Sequence, residues 1–250
     1  MMLSRMKASL GGRLNRCRKF LRSLYRYQHQ LTSTTGMNRY PELFAEVRDL
    51  LGAKRVRVLS YGCSTGEECA TLEKCLETET IIGADINESN LRAARERFPS
   101  TRIEFIKSSA KLLAARAPYD IVFCLSVLCR WEDTRDVEEC SSIYPFEKFA
   151  SAVLFLDSLL PKGGLLVIYN ANFRFEDTAT FLKSGYTAVA SPAVVDSGFV
   201  HKFDQNNRRI RETHRTCIYR KGERGALCSG SVQTTGCSPL AEDATETAAT

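Results

Sequence analysis

"VRVLSYGCSTGEECATL", residues 56–72, is an apolar, β-rich run that stops at a glycine turn and then sets two glutamates where a helix should begin. Residues 55–61 read as a strand, and residues 65–77 carry helical spacing. Between them, Gly62 and Gly66 let the backbone bend sharply and approach a ligand with no Cβ in the way. Ser64 and Thr65 are small enough to keep that approach open. Strand, tight turn and helix in this order open a βαβ unit.

The pattern continues outward from that unit. Residues 80–85 (TIIGAD) form a second strand, and Asn87 can cap a helix running to Phe98, which Pro99 ends. Residues 103–107 and 119–125 read as a third and fourth strand. Residues 146–160 read as a helix with Phe149, Val153, Leu154 and Leu160 at about helical period, stopped by "PKGG" at 161–164. The continuous apolar run 165–169 fits a strand buried on both faces. A short helix near 176–183 and closing strands at 186–190 and 215–220 complete the series. The expected fold is α/β: a Rossmann-like, doubly wound, mainly parallel seven-stranded sheet with helices on both faces.

The chain has 250 residues, of which 44% are hydrophobic, enough for one principal domain with tails. Residues 1–31 are expected to be a basic arm, 32–222 the domain, and 223–250, rich in Ser, Thr, Gly and Ala, a disordered tail. Nine Lys or Arg and no acid precede Pro41, so the net charge of +6 belongs mostly to the arm. It reads as a solvated extension, as a basic segment for an anionic membrane surface or nucleic acid, or as an Arg-rich transit peptide. No run of about 18 apolar residues exists to span a membrane, and no secretory signal is evident. The ten cysteines lack paired C-x-x-C spacing, so they suggest buried thiols in a reducing, cytoplasmic setting and no metal.

In such sheets ligands sit beyond the carboxyl ends of the strands, which directs attention to the loop after the first strand. A dinucleotide site would show G-x-G-x-x-G with the pyrophosphate on bare helix N–H groups. Here the glycines are spaced G-x-x-x-G, and Glu67 and Glu68 would repel a pyrophosphate. They suit a cation. S-adenosyl-L-methionine, with its sulfonium and ammonium and no phosphate, matches that charge. Asp85 ends the second strand nineteen positions after Gly66, where a carboxylate can accept both ribose hydroxyls.

These residues resemble the class I SAM-dependent methyltransferases, and the loop "GCSTGEE" resembles the CheR-type branch of that family. The resemblance extends over about residues 32–221. Upstream, "TSTTGMNRYPELF" is similar to the branch's pre-sheet segment, in which a Thr and an Arg reach the cofactor, implying Thr35 and Arg39; an Arg fork suits the methionyl carboxylate. Tyr61, Gly62, Cys63, Ser64, Gly66, Glu67, Glu68, Asp85 and Ile86 complete the implied cofactor set around the turn. Downstream, "IEFIKSSAKLL" and "DIVFCLSVL" are similar to segments near the adenine and the fourth strand end, implying Ser109, Ser126 and Val127. The branch continues GEE with Pro-Tyr, whereas this chain has Cys69-Ala70, and its short arm leaves no room for a helical receptor-docking domain. Glutamate methylation, the reaction of the branch's named members, therefore does not follow.

Methyl transfer from a sulfonium is an in-line displacement in which alignment can supply much of the catalysis, and no catalytic base is singled out. None of His29, His201 and His214 lies in the motif loops. Acceptor contacts are expected from the loops after the fourth and fifth strands: Arg130, Trp131, Asn170, Asn172 and Arg174. The acidic loop 132–144 reads as a lid or specificity element over the cleft. No Asn/Asp-Pro-Pro-aromatic motif follows the fourth strand, which argues against amino methylation of nucleobases. The expected function is transfer of a methyl group to a small molecule or protein side chain. The alternatives are a catalytically silent SAM-binding interaction module and a nucleic-acid methyltransferase using the arm. The domain itself is not markedly basic, so nucleic acid ranks below the other partners.

Overall fold

The structure, a computed structural model, describes residues 28–191 and 198–222. The basic segment 1–27 and the tail 223–250 lie outside the described residues.

A helix α1 (Pro41–Leu51) precedes the sheet, started by a proline in its first turn and buried through Leu43, Phe44 and Val47. The alternation then follows the expected order: β1 (Val56–Tyr61), α2 (Glu67–Cys75), β2 (Thr78–Asp85), α3 (Glu88–Arg97), β3 (Ile103–Lys107), α4 (Ala110–Ala114) and β4 (Ile121–Leu125). After a single turn α5 (Trp131–Thr134) come α6 (Phe146–Ser158), β5 (Leu165–Tyr169), a 3-10 turn (Phe175–Asp177), α7 (Ala179–Lys183) and β6 (Thr187–Val189). The chain ends with β7 (Lys202–Phe203), β8 (Arg209–Ile210) and β9 (Ile218–Arg220).

Seven strands form one sheet in the order β3-β2-β1-β4-β5-β9-β6. The first five are parallel, and β9 runs antiparallel between β5 and β6. Connections diverge between β1 and β4, which opens a crevice at the carboxyl ends of those two strands. The sheet is buried on both faces. Leu43, Phe44, Leu72, Leu91 and Ala94 place α1, α2 and α3 on one side with Val58 and Phe123. Leu113, Phe149, Val153 and Leu156 place α4 and α6 on the other with Leu59 and Val122. This is the doubly wound, Rossmann-like arrangement.

Three local readings change. Leu154 is 59% exposed, and Leu156 holds the buried position on α6 instead. The closing strands are shorter than 186–190 and 215–220 suggest. Residues 202–210 form a two-stranded hairpin, β7–β8, whose Phe203 packs on Phe173 after β5.

Candidate functional site

The turn after β1 is built by the sheet itself. The amides of Gly62 and Cys63 both donate to the Ala84 carbonyl of β2, at 2.7 and 3.0 Å, and Gly66 N–H closes back on Cys63 at 3.0 Å. Gly62 has φ +82°, and a Cβ there would stand 2.5 Å from Val127 Cγ2, so the turn and the end of β4 can pack this closely only around glycine. Gly66 has φ +92°, with Ala94 and Phe105 filling the space a Cβ would need. It serves α2–α3 packing and does not line the cleft.

A cleft opens beyond the ends of β1, β2 and β4. Thr35, Arg39, Tyr61, Gly62, Cys63, Ser64, Glu68, Asp85, Ile86, Ser126 and Val127 line it, so eleven of the expected cofactor residues share one cavity. Asp85 Oδ2 accepts from the Ser64 amide at 2.9 Å and Oδ1 from the Asn87 amide at 2.8 Å. Burial raises its pKa, and those backbone donors pull against the rise. The Asn90 side chain and the Ile86 amide also act on it as donors. Ser64 holds φ +50°, an uncommon conformation for a non-glycine residue, and its side chain donates to the Ser33 carbonyl at 2.9 Å.

The two glutamates have separate roles. Glu67 turns away from the cleft: its carboxylate pairs with Arg97 and accepts from Thr65 Oγ1 at 2.7 Å. Burial opposes ionisation there, but Thr65 and Arg97 outweigh it and the pKa falls. Glu68 faces the cleft and accepts from Ser60 Oγ at 2.8 Å. Burial pushes its pKa up to about 7 despite that bond and the Arg39 charge. The expected acid pair therefore reduces to one carboxyl, placed where a cation would drive it to ionise.

Ser109 also changes role. Its hydroxyl caps α4, accepting from the Leu112 amide at 3.3 Å, and Ser108 is the serine that lines the cleft. Adjacent serines made the sequence ambiguous here. At the ends of β4 and β5, Ser126 and Asn170 sit side by side with φ of +56° and +53°. Tyr40 Oη lies 2.7 Å from Ser126 Oγ, and Asn170 Nδ2 donates to Ser126 Oγ at 3.0 Å and to Tyr40 at 3.4 Å. Two neighbouring non-glycine residues in the left-handed region mark a constrained site.

Most of the expected acceptor residues are structural. Asn172 is fully buried, accepting from the Arg130 amide at 2.6 Å and donating to Thr134 Oγ1 at 3.1 Å and the His201 carbonyl at 2.9 Å. Arg130 pairs with Asp133 at 2.8 Å, and Arg174 with Asp177 at 2.9 Å. Trp131 stacks on Phe199, ring centroids 4.3 Å apart. None of these four lines the cleft, and Asn170 bonds Ser126 and Tyr40, which do. Nor is 132–144 a loose lid, because Thr134, Cys140 and Tyr144 are fully buried and Cys140 N–H bonds the Asn207 carbonyl at 3.0 Å.

Sequence reasoning missed the near end of the cleft. Residues 28–36 cross its mouth without regular secondary structure, so the expected boundary at 31/32 cuts through its wall. His29 is 3% exposed, and its Nδ1 lies 2.6 Å from Tyr144 Oη. Burial, with the Lys148 charge adding to it, lowers its pKa to about 3. The only sequence signal was one histidine near the end of a basic segment. Among the described residues no His, Cys, Asp or Glu group is arranged to hold a metal, and no helix is long and apolar enough to cross a membrane. The described cysteines are free; Cys63, Cys124 and Cys129 are buried.

Residues 58–143 match the family described as "Methyltransferase domain". Among solved structures, the chain is similar to the amino pentose methyltransferase CalS10 from Micromonospora echinaspora: 18% identity, 60% of this chain and 55% of that one covered, TM-score 0.40. It is also similar to a ribosomal protein L11 methylase from Lactobacillus delbrueckii: 13% identity, 76% and 81% covered, TM-score 0.48. For the plantazolicin methyltransferase BpumL, solved with SAH, the values are 19%, 51% and 44%, and 0.37. The chain spans about half the length of CalS10 and BpumL. No curated protein matches. The matched residues 58–143 hold the turn, both glutamates, Asp85 and the end of β4 on a Rossmann-like sheet.

Proposed function

We propose that the protein is an S-adenosylmethionine-dependent methyltransferase whose acceptor is a small molecule or a protein side chain. The observation that carries this reading is the division of labour in one cleft. Asp85, a carboxyl group lining the cleft at the end of β2, suits the ribose hydroxyls. Glu68 suits the ammonium, and Arg39, whose Nη1 donates to the Thr34 carbonyl at 2.9 Å, has further donors for the methionyl carboxylate. At the start of α2, where a phosphate would meet helix N–H groups, the Glu68 carboxyl faces the cleft instead.

Those groups would hold the donor while the acceptor approaches from the side of Tyr40, Ser126 and the 28–36 segment. The cofactor supplies an activated methyl group on sulfur. The protein's part is alignment and exclusion of water, for which a largely buried, partly strained wall is suited. The resemblance of "GCSTGEE" to the CheR-type branch remains part of this proposal, as does a cytoplasmic location. Calorimetric titration with S-adenosylhomocysteine, followed by an assay for demethylated cofactor with cell extract, tests it. Binding with turnover is expected; binding with no product above blank would favour a silent SAM-binding module.

A further inference from the structure

His29 is the buried titratable group that the cofactor contacts leave unused. It lies in the wall of the cleft, in the segment that crosses its mouth. The Tyr144 phenol is fully buried, and burial holds its pKa well above the usual tyrosine value, so it keeps its proton. Among the described residues its only hydrogen-bond partner is His29 Nδ1, at 2.6 Å. A buried O–H with one partner donates to it. Nδ1 therefore carries the lone pair, and Nε2 carries the hydrogen. Among the described residues Nε2–H has no acceptor, and the ring borders the cavity.

A second donor lines the same cavity. Tyr40 and Ser126 have two hydroxyl protons and one O···O contact between them, while Asn170 donates to both oxygens. One proton is left to point into the cleft. Of the nearby cations, Lys148 Nζ donates to the Gln28 carbonyl at 2.8 Å and still acts on His29 through its charge, and Arg130 pairs with Asp133. Arg39 is the one lysine or arginine side chain lining the cavity, and the proposed cofactor carboxylate claims it. This end thus offers two neutral donors beside the Lys148 charge.

Resting on the methyltransferase reading, we infer that His29, oriented by Tyr144, is a specificity-determining contact for the acceptor, which presents a hydrogen-bond-accepting oxygen or nitrogen to Nε2–H. His29 holds the acceptor and does not remove its proton, because the nitrogen facing the cleft already bears hydrogen.

The test uses the full chain with 15N-labelled histidine, saturated with S-adenosylhomocysteine. The nitrogen shifts of His29 should report the Nε2–H tautomer, and Tyr144→Phe should lower its population. Acetamide, a carbonyl probe, should then move the Nε2 resonance saturably, and Tyr144→Phe should weaken that response. An Nδ1–H tautomer, or no Nε2 response to acetamide, would overturn the inference. Calorimetric failure to bind the nucleoside would instead overturn the cofactor reading, a separate readout.

Discussion

Glu68 makes ligand binding depend on pH in a way that the structure quantifies. Its carboxyl is un-ionised below about 7 because burial raises the pKa from 4.5. A cationic ligand binds the ionised form, so the apparent affinity scales with the ionised fraction. With a pKa of about 7 that fraction is about 0.9 at pH 8 and about 0.1 at pH 6, a roughly tenfold loss of affinity. The sign for the empty protein is opposite. A carboxyl whose folded pKa lies above its unfolded value destabilises the fold as pH rises from about 4.5 through 7, by at most about 3 kcal/mol. Glu68→Gln keeps an acceptor for Ser60 Oγ while removing the charge. The variant should therefore melt higher than the parent at pH 8, match it near pH 5, and bind the nucleoside weakly with a flat profile. Calorimetry with S-adenosylhomocysteine between pH 5.5 and 8.5, beside thermal melts, measures both. His29, neutral across this range, does not contribute. A parent whose affinity is constant from pH 6 to 8, or a variant that binds as tightly as the parent, would refute the assignment of Glu68 to the ammonium.

Asp85→Ala should weaken nucleoside binding by about 1–3 kcal/mol, since it removes ribose contacts and the anchor of the Ser64 amide; unchanged affinity in calorimetry would take Asp85 out of the site. Gly62→Ala should destabilise the fold by about 2 kcal/mol or more, because the new Cβ meets Val127 and the backbone is left-handed. Adding Val127→Ala should restore part of that loss in denaturant melts, and no restoration would mean that backbone strain alone sets it. Asn172→Ala should lower stability by about 2–4 kcal/mol through three lost buried hydrogen bonds yet leave nucleoside affinity within twofold. A selective binding defect would return Asn172 to the cleft.

What the sequence made legible follows from how local each signal is. β1, the glycine turn and Asp85 could be read because period and spacing fix them within a few residues of each other. The split between Glu67 and Glu68 could not, since it depends on Arg97, thirty positions away on α3. Adjacent helix positions point about 100° apart, so one acid of such a pair must leave the cleft, but its partner decides which. Asn172 and Arg174 looked like acceptor contacts because they are polar residues after a strand. In the fold, the β7–β8 hairpin covers Asn172, while Arg174 turns to Asp177. Two-residue strands leave no period to detect. His29 escaped for a similar reason: its partner Tyr144 lies 115 positions away, and no local pattern links them.

The central claim is that the bend after β1 and its single inward carboxyl accept a cationic adenosyl compound and exclude phosphates. Competitive calorimetry at pH 8 tests it most directly. S-adenosylhomocysteine should bind in the micromolar range or tighter, and neither NAD nor ATP should displace it. Tight uptake of either phosphate-bearing nucleotide, with no heat from the thioether nucleoside, would contradict the account.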